Sequence, residues 1–128
     1  MKIYRIQDSD GRGPFKPGFS IKWSEDKSKA WYLKMRGWVE EFGVDILRRQ
    51  LIGSYVGSGC LTKGQLREWF TAKEYATLLS LGHEAVEVEV DRLLAQNQTQ
   101  CVWEKAGSPA EGAQPFKLYH LVKEVCVP

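Results

Sequence analysis

The chain has 128 residues, 43% of them hydrophobic and 12% aromatic, and at that length it can bury a core without disulfides or a structural metal. Its 18 Lys/Arg against 16 Asp/Glu leave +2, which excludes an intrinsically disordered chain and a polyanion-coating one. Met1 to Ile6 has no apolar run of signal-peptide length, and no window approaches the roughly 20 apolar residues of a membrane span, so a soluble cytoplasmic protein without membrane contact is expected.

Lys2 to Ile6 alternates apolar and polar residues before Asp8-Ser9-Asp10-Gly11, the pattern of a strand ending in a turn. From Gly11 to Ser24, glycines and prolines forbid a helix, and Arg12 to Gly18 (RGPFKPG) reads as a stiff loop. Phe15, Phe19 and Trp23 should pin that loop to the body. Trp38 to Arg49 places Val39, Phe42 and Ile46 at three-to-four-residue spacing, which predicts an amphipathic helix. Gly53 to Gly59 is a glycine-rich strand or turn. Thr62 with Gln65, and Thr71 with Glu74, are capping-box patterns that predict helices over about 63–70 and 72–81.

Glu84 to Val90 (EAVEVEV) is the clearest strand, with Val86, Val88 and Val90 on a core face and Glu87 and Glu89 on the other. A short helical turn over Asp91 to Ala95, a polar loop, a strand over Cys101 to Glu104 and a flexible loop over Lys105 to Pro115 follow. The β-favouring run Phe116 to Val127 closes the chain. Helices in the middle and strands at both ends predict an α+β fold: one domain over residues 1–128, with helices packed on a small, largely antiparallel sheet.

Candidate chemistry is sparse. Cys60, Cys101 and Cys126 are odd in number with no CxxC, so reduced thiols are expected rather than a disulfide framework or zinc ribbon. His83 and His120 have no Cys, His or Asp at metal spacing, and no metal is expected. In Asp8-Ser9-Asp10-Gly11-Arg12-Gly13, placing Gly11 as the glycine of a calcium loop puts Ile6 and Pro17 at ligand positions, which removes the cage. Either a structural turn remains, or an anion contact through Arg12 and the glycine amides.

Charge is uneven. Residues 1–50 carry 11 Lys/Arg against 7 Asp/Glu, or +4, and residues 51–128 carry −2. In the basic half, Lys27, Lys29, Lys34 and Arg36 interleave with Trp31, Tyr32 and Trp38. Such a pattern suits an ordinary amphipathic face, a stacking surface for single-stranded nucleic acid, or a protein-binding hot spot.

Arg5 on the first strand, the Ser54, Ser58 and Thr62 segment before a helix, and Glu87-Val88-Glu89 together resemble the Arg, Ser-Thr-Ser and Glu-x-Glu layout of ADP-ribosyltransferases, although here the serine segment is spread out. That resemblance implies an NAD-using transferase with Arg5 on the dinucleotide phosphates, the serine segment shaping the nicotinamide pocket, and Glu87 and Glu89 as the catalytic glutamates, the last of them stabilising the ribosyl cation. YRI, DGRGPF and CLTKGQLREWF are similar to segments of small proteins of bacteriophages and other mobile elements, which implies an accessory role such as blocking a host defence protein. The favoured expectation is a cofactor-free protein-binding inhibitor acting through Arg12, Phe15 and the Lys27 to Trp38 stretch. Nucleic acid is a weaker partner, and the NAD enzyme is the alternative.

Overall fold

The computed structural model describes residues 1–15, 18–25 and 38–120. Six strands, β1 (Lys2–Gln7), β2 (Tyr55–Gly59), β3 (Glu84–Glu89), β4 (Arg92–Gln96), β5 (Cys101–Lys105) and β6 (Gln114–Pro115), form two antiparallel three-stranded sheets. Sheet 1 has the order β1-β3-β6 and sheet 2 the order β2-β5-β4. Three α-helices stand beside them among the described residues: α1 (Trp38–Phe42), α2 (Lys63–Trp69) and α3 (Ala72–Ser80). The fold is α+β, as its element order predicts.

Alternation in β3 does what the sequence requires, with Val86, Val88 and Val90 all buried. These valines and Ile3 of β1 meet Cys101 and Trp103 of β5, so the apolar faces of the two sheets share one core. On the other face of sheet 1, Ile6 and Ala85 pack with Leu66, Trp69 and Phe70 of the α2 region and with Tyr75 and Leu78 of α3. The second face of sheet 2, through Leu94 and Val102, is covered by Ile46 and by the half-buried Trp38 and Phe42.

The sheets are joined at one edge. Tyr4 and Cys60 exchange both backbone hydrogen bonds, each 2.8 Å, which links the outer edge of β1 to the end of β2. After β3 the chain crosses from sheet 1 to sheet 2, with Val90 N–H donating to the Met1 carbonyl and Asp91 N–H to that of Glu104.

Both predicted capping boxes are present. Thr62 Oγ1 accepts from Gln65 N–H at 3.0 Å and Thr71 Oγ1 from Glu74 N–H at 3.1 Å, while the Gln65 and Glu74 side chains accept from the threonine amides.

Other expectations are corrected. The helix over Trp38 to Arg49 stops at Phe42, because Gly43 takes φ +84° and donates its N–H to the Val39 carbonyl, and the chain continues as a 3-10 segment over Val44–Arg49. Asp91 to Ala95 is no helical turn. It forms β4, where pairing with β5 overrides good helix formers and a register shift between Leu93 and Ala95 accommodates an extra residue. Phe116 to His120 lies outside any strand, and the rest of the expected C-terminal strand falls outside the described residues.

Candidate functional site

Pairing in sheet 1 decides where the expected catalytic residues stand. Arg5 is opposite Val86, whereas Glu87 is opposite Tyr4 and Glu89 opposite Lys2. Directly opposed residues share a face, so Arg5 projects from one face of sheet 1 and the two glutamates from the other. No common cleft can form between them. Glu87 pairs with Lys2 Nζ at 3.1 Å, and Glu89 with the N-terminal ammonium of Met1. The ammonium lowers the Glu89 pKa and the Glu87 carboxylate raises that of Lys2, as expected of salt-bridged groups at the open end of the face that the helices otherwise cover.

The N-terminal loop lies against the body. Trp23 is buried and donates Nε1–H to the Pro14 carbonyl at 2.9 Å. Phe15 is half-exposed, and its ring sits 5.2 Å from that of Trp23, 5.9 Å from Trp69 and 5.8 Å from Phe70. Phe19 stacks on the buried His83 at 4.7 Å. Asp8 Oδ1 accepts from Asp10 N–H and Arg12 N–H, both at 2.9 Å, which closes the Asp8 to Arg12 turn and leaves the Arg12 side chain exposed. Lys27, Lys29, Trp31, Tyr32, Lys34 and Arg36 lie outside the described residues. Trp38 opens α1 and packs on the third core cluster rather than standing free.

Neither described cysteine is a nucleophile at neutral pH. Cys60 and Cys101 are buried, and burial pushes both thiols up to about 12.

A feature absent from the sequence reading is the most exposed apolar element described. Leu51 to Ser54 form a tight turn in which Ser54 N–H donates to the Leu51 carbonyl at 3.1 Å and Gly53 takes φ +85°, a conformation that favours glycine. Ile52, at its tip, is fully exposed and Leu51 largely so, with the half-exposed Tyr55 just after.

The turn is anchored from below by Glu104, whose side chain is buried on β5. Glu104 Oε2 accepts from Leu51 N–H at 2.5 Å and from Ser54 Oγ–H at 2.6 Å, and Oε1 accepts from Arg92 Nε–H at 2.5 Å. These hydrogen bonds hold the Glu104 pKa down at about 2. Beside the turn is an open cleft of about 230 Å³, lined by Leu51, Ile52, Ser54, Asp91, Arg92 and Glu104. Two aliphatic side chains thus stand in water on a turn that a buried carboxylate keeps rigid. The local sequence signals only the turn, through Gly53. Its anchor lies fifty residues downstream, where no local pattern could reveal it.

Among the described residues, no helix is long and apolar enough to cross a membrane, and no group of three or more His, Cys, Asp or Glu could hold a metal ion. A family model described as bacteriophage T4 Y00F protein matches residues 1–117. No curated protein and no solved structure matches the chain.

Proposed function

Because the chain belongs to the bacteriophage T4 Y00F protein family, we propose that it is a phage accessory protein that works by binding a host protein, and that the Leu51 to Ser54 turn is a principal contact. The observation that carries this reading is Ile52, fully exposed at the tip of a turn whose conformation is set in advance by Glu104. Pre-ordering matters because association must otherwise meet the entropy of fixing a loop. The complementary partner is a protein with an apolar pocket deep enough for an isoleucine side chain. Inhibition of a host defence protein is the role that such a contact would serve.

Phe15 and Arg12 offer a second contact on the N-terminal loop, and the basic aromatic stretch from Lys27 to Arg36, which lies outside the described residues, is a further candidate by its composition alone. Phe15 already spends part of its ring on Trp23, Trp69 and Phe70, so less of its surface remains for a partner than at Ile52.

The test is affinity capture from host lysate, then titration of the identified, purified protein against variants. Ile52→Asp should weaken binding by about 2 kcal/mol or more, as for a central anchor, with an unchanged melting temperature because the side chain touches nothing in the fold. Phe15→Ala should cost less. Wild-type affinity in Ile52→Asp would place the contact elsewhere.

A further inference from the structure

Arg5 leaves β1 toward β2 and β5, and its guanidinium lies against the Trp103 ring with Cζ 5.1 Å from the centroid. Nε–H donates to the Ser58 carbonyl at 3.2 Å, and Nη1–H to Gln7 Oε1 at 2.7 Å and the Gly11 carbonyl at 2.8 Å. All three acceptors are neutral, and no carboxylate among the described residues pairs with it. Asp8 favours the cation from a distance, but its oxygens serve the Asp10 and Arg12 amides and face His83. Desolvation brings the Arg5 pKa down to about 10. A cation largely taken out of water normally finds a paired carboxylate, and among the described residues this one meets only the Trp103 ring and neutral dipoles at contact distance.

The third nitrogen is the informative one. Nη2 has no acceptor among the described residues, although Arg5 keeps part of its surface exposed. Gly13 stands beside it, and a Cβ there would come to 3.2 Å of Nη2. The Arg12 side chain is exposed one residue earlier on the same loop.

We propose that the Nη2 edge of Arg5 binds a single oxyanion, a carboxylate or phosphate oxygen that enters past Gly13. One oxygen fits better than a bidentate pair, because the fork's other nitrogens are already committed to Ser58, Gln7 and Gly11. The Trp103 ring and the three neutral acceptors hold the guanidinium in place before the anion arrives, so binding orders little. Asp8 and Asp10 on the adjoining turn keep the site weak for a free ion and favour an anion carried on a larger ligand.

The Trp103 indole reports the site directly, since its Nε1–H donates to the same Ser58 carbonyl, at 2.9 Å. In the full chain, inorganic phosphate or acetate should shift the indole N–H resonance saturably, and chloride at equal ionic strength should not. A response to phosphate alone identifies a phosphorylated ligand, and a response to acetate the acidic side chain of a protein. Gly13→Ala, which narrows the approach without altering charge, and Arg5→Lys, which keeps charge but lacks Nη2, should each weaken the anion by about tenfold or more, the worth of one charge-assisted hydrogen bond. Shifts that do not saturate, that chloride reproduces, or that persist unchanged in Gly13→Ala overturn the proposal, and Gly13→Ala decides it even if Arg5→Lys does not fold.

Discussion

Glu104 shows how one side chain can serve both packing and display. Its carboxylate is buried on β5, yet its partners are Arg92 and the Leu51 to Ser54 turn, so the hydrogen bonds that stabilise the ion also shape the exposed surface. The pH consequence follows in sign. An unfolded glutamate titrates near 4.3, and the folded one near 2, so folding favours the ionised form. Its contribution is fully present above the unfolded value and is lost as pH falls from about 4.3 through about 2. Glu104→Gln should therefore destabilise the protein at neutral pH, and the gap between variant and wild type should close between pH 5 and 2. Denaturant titrations across that range check this, and a gap independent of pH would mean that the carboxylate is not held ionised.

At the scale of elements, glycines separate packing from propensity. A Cβ on Gly57 of β2 would lie 2.7 Å from Trp103 Cζ2, inside the core, whereas Gly64 in the first turn of α2 has no neighbour nearer than 3.9 Å. Gly57→Ala should cost about 1–3 kcal/mol through overpacking. Gly64→Ala should instead stabilise by about 0.4–1 kcal/mol, by reducing the freedom of the unfolded chain. Chemical denaturation of the pair reads both signs, and equal effects would contradict the packing of Trp103. In β3, Val88→Asp places a carboxylate where no partner exists and should cost on the order of 4 kcal/mol or more. The same contrast explains what could be read in advance. α2 and α3 were legible because Thr62/Gln65 and Thr71/Glu74 complete their caps within four residues, and β3 because its alternation is local. β4 was not, since Asp91 to Ala95 has helix-forming residues and becomes a strand only through its pairing with β5. Arg5 and Glu87 could be found as charged positions on strands, but their separation onto opposite faces depends on pairing between segments some eighty residues apart. The Ile52 turn was hidden for a similar reason, because its anchor comes from β5.

Across the whole molecule, the question is whether the two sheets open together or apart. They share the core formed by Ile3, Val88 and Trp103, the reciprocal Tyr4 and Cys60 hydrogen bonds, the Arg5 bond to Ser58, and the continuous run of chain from β3 into β4. None of these can break alone without exposing the face that both sheets bury. α1 differs: it is five residues long, has no buried residue, and ends at Gly43. Native-state amide exchange should therefore divide the chain in two. The Tyr4 and Cys60 amides should exchange only through global unfolding, with the same free energy and denaturant dependence as Val88, on the order of 5–15 kcal/mol for a domain of this kind. The Gly43 amide, which donates to Val39 at 2.8 Å, should exchange much faster through local fraying, with little dependence on denaturant. If Tyr4 and Cys60 instead exchange as fast as Gly43, the sheets separate below the global transition. Arg5 and the Ile52 turn would then stand on a hinged frame, and the pre-ordering that both binding proposals rely on would be lost.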